Sequence, residues 1–236
     1  MIDELFNIKA FPIISGRYYK ISVKINELFS IYLILFGFVM LSGTIIRGTD
    51  YIVTHLLHFN GIYNRDNSSL KDYLKHLGYL KGGLIICLIG PLLEELVFRL
   101  PLSLKKIHIA IALAVAILFF SGKLYTLTGV DWQLIFRLFA AVSAFCLTMK
   151  FGPDNLHLID NKYKTIIDIV SICLFGFMHI SNYKPIQWPI IFLYPIYTIP
   201  QLCLGWGLTY IRLKNGFIWC VLLHCLVNLL YFFAYL

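Results

Sequence analysis

Three ionisable residues stand inside an apolar stretch, GPLLEELVFRLPL at 90–102: Glu94, Glu95 and Arg99. On insertion scales a charge at the centre of a membrane helix costs roughly 2.5–3.5 kcal/mol. Such a cluster therefore needs a compensating partner or a chemical task. Two other apolar stretches hold comparable groups. LFGFMHISNY, 174–183, places His179 one turn after Phe175, and WCVLLHCLVNLL, 219–230, places His224 and Asn228 four apart on one helical face. Glu95 and Arg99 are also four apart and can pair. Glu94 is turned about 100° from Glu95 around a helix axis and meets only Phe98 at the next turn, so it is the unpaired carboxylate and the better candidate base.

These residue types suit one class of reaction. A carboxylate and an imidazole within reach of one water can deprotonate it for attack on a carbonyl. A second imidazole and an amide N–H₂ can donate to the oxyanion that forms. The outcome is amide hydrolysis without a covalent intermediate. In a variant, the glutamate and histidines hold a divalent metal such as zinc that polarises the water. HExxH, GxSG and GxGD motifs do not occur. Arg137 and Asp168 also fall in apolar stretches, but near their ends, and are expected to reach the headgroups as structural groups.

The elements that must position these residues are membrane helices. Of 236 residues, 59% are hydrophobic and only 14% charged, and mean hydropathy is +0.79, far from the composition of a soluble domain. The pattern predicts an all-α, polytopic transmembrane helical bundle of seven helices, or eight counting a short interfacial one, around a polar intramembrane pocket. Spans are expected at 27–46, 82–104, 107–122, 132–149, 165–184, 188–212 and 216–236. The interfacial helix is expected within the polar stretch 47–80, closed by Asn60-Gly61. Pro189, Pro195 and Pro200 predict a kink or break at the start of the sixth span.

The net charge of +8 comes from basic residues between apolar blocks, not from a stripe, which points to topology and lipid headgroups and away from nucleic acid. With the N-terminus inside, eleven lysines and arginines lie in inner segments against seven in outer ones, favouring that orientation. Residues 1–26 read as a cytoplasmic lead-in to a single membrane domain. The six cysteines form no CxxC pair and read as small hydrophobes.

Taken together, EExxxR (Glu94, Glu95, Arg99), FxxxH (Phe175, His179) and HxxxN (His224, Asn228) resemble the three motifs of the CPBP family. These are the CAAX-protease and bacteriocin-processing intramembrane endopeptidases, which include the type II CAAX prenyl endopeptidases. GWGLTYIRLKNGFIWCVLLHCLVN, 205–228, also resembles the family's last hairpin, and the likeness extends over about 80–235. The resemblance implies a glutamate-dependent protease in a bilayer, as in the cytoplasmic membrane of bacteria. Glu94 would be the base, with His179 helping to activate the water. His224 and Asn228 would form the oxyanion site, while Glu95 and Arg99 would hold the glutamate helix. The substrate would be a peptide or a membrane-proximal protein segment, and the resemblance leaves the metal open. One departure is that 85 residues separate Glu94 from His179, so helices at about 107–149 read as an insertion, and prenyl-CAAX processing in particular is not supported. The competing readings are a silent member acting as a scaffold or bacteriocin-immunity or envelope regulator, and a solute transporter, for which no inverted repeat is found.

Overall fold

The computed structural model describes residues 2–11, 20–63, 74–120, 132–154 and 156–234. Part of the expected polar stretch (64–73) and the ends of the expected third and seventh spans (121–122, 235–236) lie outside the described residues.

Seven long helical segments follow one another, and no strand occurs among the described residues. Helix α1 runs Ile21–Leu56 and α2 covers Tyr79–Leu84, a π-helical turn Ile85–Ile89, and Gly90–Phe98. Helices α3 (Lys106–Phe120) and α4 (Trp132–Phe151) pack on each other, and α3 also borders α2. Helix α5 (Asn161–Met178) tightens into a 3₁₀ turn, His179–Tyr183. The sixth segment is in two pieces, α6a (Trp188–Tyr197) and α6b (Ile199–Asn215), bent by 43°, and α7 is Phe217–Phe233.

The break in the sixth segment agrees with its prolines. Each ring lacks an N–H and disfavours helical geometry before it, and Pro195 and Pro200 flank the bend. Helix α6b ends at Gly216, whose φ of +105° suits glycine. Arg212 and Lys214 occupy its last turn, the end where helix carbonyls favour cations.

Two boundaries differ from expectation. The first span and the interfacial helix are one helix of 36 residues. Nothing between 46 and 51 forces a break: Gly48 is the weakest helix former there, and a single glycine costs about 1 kcal/mol. The chain leaves the helix only past Leu57, where His58 takes a left-handed conformation. The expected lead-in is also more than a solvated arm, because Leu5 and Phe11 are buried in the core. Phe11 meets the rings of Trp206 and Tyr210, the Trp206 indole donates to Leu5 O at 2.6 Å, and Lys214 Nζ reaches Glu4 at 2.6 Å and Glu27 at 2.8 Å.

Among the described residues, three helices are long and apolar enough to cross a membrane, or four with the bent pair as one, against seven expected crossings. The described parts of α3 and α7 are 15 and 17 residues long, beside the roughly 20 residues that a full span takes. The exposed sides carry many large apolar side chains: on α1, Phe29 and Met40 are each 60% exposed. A helix that buries a thin stripe and presents large apolar side chains outward is adapted to lipid.

Helix α6b is the central pillar, packed against α1, α5 and α7. Leu204, Leu208, Tyr210 and Ile211 anchor one buried cluster with Ile31, Leu35, Phe175 and Leu223. A second cluster caps the other end, where Asp50 Oδ1 accepts from the Ile62 and Tyr63 backbone N–H groups and from the Tyr197 hydroxyl.

Candidate active site

Helices α2, α5 and α7 each bring a turn of ionisable or amide side chains to one place. Glu94 Oε2 lies 4.0 Å from His179 Nε2 and 3.8 Å from His224 Nε2. Residues 85 and 130 positions apart in the sequence thus face a single carboxylate oxygen. That oxygen is buried and has no hydrogen-bond partner among the described residues.

Both imidazoles are oriented from behind. His179 Nδ1 donates to the backbone carbonyl of Phe175 at 2.8 Å, and His224 Nδ1 donates to Glu95 Oε1 at 2.8 Å. A carbonyl and a carboxylate can only accept, so Nδ1 carries the proton in each ring. In the neutral ring, Nε2 then presents a lone pair towards Glu94. Two lone pairs and a carboxylate oxygen facing one another are three acceptors. They are reconciled only by something that brings protons or positive charge between them.

The support beneath the cluster is ionic. Arg99 is fully buried, and its Nη1 lies 3.5 Å from Glu95 Oε1. Its Nη2 donates to Gly205 O at 3.2 Å, and its guanidinium carbon sits 4.0 Å from the Phe175 ring centroid. The approach is possible because residue 205 has no side chain: a Cβ there would come within 3.1 Å of both Arg99 Nη2 and Phe175. Phe175 also meets the rings of His179 and His224 edge-on, at 4.9 and 5.7 Å between centroids. The end of α2 is fixed by two further bonds, from Arg212 Nε to Arg99 O at 2.9 Å and from Ser171 Oγ to Phe98 O at 2.6 Å.

The expected Glu95–Arg99 pair is therefore present, but Glu95 has a second and closer partner in His224. Neither that contact nor the roles of Gly205 and Phe175 in cradling Arg99 follow from the motif spacing. The only sequence signal for the cradle is the Gly205-Trp206-Gly207 run. Asn228 is placed differently from the other three: its Nδ2 donates to Ile86 O on α2 at 3.0 Å. One of its two N–H bonds is committed there.

Arg137 and Asp168 are not turned outward, as side chains reaching for headgroups would be. Both are buried, because they lie on the inward faces of α4 and α5; Arg137 Nε turns back to Gln133 O at 3.2 Å. An apolar cavity of about 460 Å³ between the N-terminal segment, α1, α5 and α6b is lined by none of Glu94, His179, His224 or Asn228.

Two histidines and a glutamate are donors that zinc favours. Yet no group of three or more His, Cys, Asp or Glu side chains stands close enough to hold a metal ion among the described residues.

Residues 154–230 match the family model described as type II CAAX prenyl endopeptidase Rce1-like. The resemblance is thereby shown for the stretch that carries Phe175, His179, His224 and Asn228; the glutamate motif on α2 lies outside it. No curated protein and no solved structure matches the chain.

Proposed function

We propose that this integral membrane protein, with its Rce1-like segment, is an intramembrane endopeptidase that hydrolyses a peptide bond with a water activated at Glu94. One observation carries the reading: the unpartnered carboxylate oxygen of Glu94 faces the Nε2 atoms of two histidines held from behind in one tautomer. Separations of 3.8 and 4.0 Å are too long for direct hydrogen bonds and suit a single bridging water.

In this mechanism Glu94 and His179 orient the water. As its oxygen attacks the scissile carbonyl, Glu94 takes one proton. His224, in its doubly protonated form, donates Nε2–H to the oxyanion, and the second amide N–H of Asn228 is available beside it. The protonated Glu94 then gives its proton to the leaving amine, and the C–N bond breaks. Glu95 keeps His224 in position while balancing Arg99, so the ring can gain and lose its second proton without turning.

The substrate is a peptide or a protein segment close to the membrane. The test compares membrane and secreted peptides, by mass spectrometry, from cells carrying the wild-type chain and Glu94→Gln. Peptide ends that vanish in the variant support the reading. Identical peptide sets, with the variant present at normal levels in the membrane, would assign the pocket to a scaffold or regulatory role instead.

A further inference from the structure

The turn that precedes Glu94 is irregular in an informative way. Gly90 donates its backbone N–H to Ile85 O, five residues back, so Ile85–Ile89 is wound as a π-helix. The next donor in that register, the one that would serve Ile86 O, is the N–H of residue 91. Residue 91 is proline and has none. The donor comes from another helix: Asn228 Nδ2 reaches Ile86 O at 3.0 Å. One residue on, Cys87 Sγ approaches Asn228 O at 3.8 Å, so α7 and the π-helical turn meet at two adjacent residues.

A π-helical turn holds one residue more than an α-helical one, and the segment beyond it is rotated by about 100° relative to an uninterrupted helix. That rotation decides which side chain after Gly90 faces α5 and α7. In the present register Glu94 Oε2 meets both Nε2 atoms while Glu95 meets His224 Nδ1.

We propose that Pro91 and Asn228 are positioning residues for Glu94. Pro91 leaves the Ile86 carbonyl without a donor of its own helix, and Asn228 takes that carbonyl. The clasp holds α2 in the rotation that delivers Glu94 to the histidines. This rests on Glu94 being the base, and it gives Asn228 a task besides any donation to an oxyanion.

The test is a double-mutant cycle on the full chain in detergent micelles, with Pro91→Ala, Asn228→Leu and both together. Hydrogen–deuterium exchange is followed in peptides covering Gly90–Phe98. Asn228→Leu removes one hydrogen bond, so exchange there should rise roughly fivefold, with Asn228→Gln restoring part of the protection. Pro91→Ala supplies an N–H at residue 91, so it should slow exchange and make a further change at Asn228 nearly silent. Peptide release that depends on Glu94 should be kept in Pro91→Ala, because the new N–H serves Ile86 O in the same register; it should fall in Asn228→Leu and be partly recovered when Pro91→Ala is added, a recovery that a role of Asn228 at the oxyanion alone would not give. Unchanged exchange in Asn228→Leu, additive effects of the two changes on exchange, or release no higher in the double variant than in Asn228→Leu would each overturn the proposal. If the wild-type chain shows no release dependent on Glu94, the peptidase reading fails, while the exchange cycle still decides whether the clasp exists.

Discussion

His224 Nδ1 lies 2.8 Å from Glu95 Oε1, closer than Arg99 Nη1, which approaches the same oxygen at 3.5 Å. One carboxylate therefore serves two neighbours, a buried guanidinium within its own helix and an imidazole from α7.

Glu94→Gln keeps the size of the side chain and removes its basicity. Turnover should fall by about 10²–10⁴-fold, the usual worth of a general base, while the melting temperature stays near the wild type. Retained cleavage of the same peptides would remove the assignment.

Glu95→Gln leaves Arg99 buried without a counter-charge. Breaking a buried pair by removing one partner costs about 3–5 kcal/mol, so this variant should melt well below Glu94→Gln in the same detergent. Equal melting temperatures would show that Glu95 does not carry the ionic support.

Gly205→Ala should be costly although it adds only a methyl group. The new Cβ would stand 3.1 Å from Arg99 Nη2 and from Phe175, and overpacking of this kind costs about 1–3 kcal/mol. A thermal shift equal to that of Gly43→Ala, where a Cβ meets nothing within 4 Å, would contradict the cradle.

The N-terminal segment gives a pH dependence. The hydrogen bond from Lys214 holds the Glu4 carboxyl below its ordinary value of 4.5. A depressed carboxyl stabilises the folded form above its unfolded value, and that contribution is lost as pH falls through the depressed one. Trp206 donates to Leu5 O beside it, so its fluorescence should change on acidification below about pH 4.5. Glu4→Gln should flatten that part of the titration; the same curve in both proteins would place the transition elsewhere.

The sequence by itself determined the helices and the groups worth examining. Long apolar runs can satisfy their backbone only as helices in a membrane. Ionisable and amide side chains within them stand out because each is expensive there, as Glu94, His179, His224 and Asn228 do. Spacing of four also sufficed for the Glu95–Arg99 pair, since both belong to one helix. The tertiary structure alone decided which groups meet across helices: His224 on Glu95, Gly205 beneath Arg99, Asn228 on Ile86 O, and Leu5 and Phe11 within the core. Helical periodicity fixes which side chains share a face of one helix, but it leaves free how that helix is rotated against its neighbours. That rotation comes from close packing and from irregular turns such as Ile85–Ile89, whose register depends on a donor supplied by another helix.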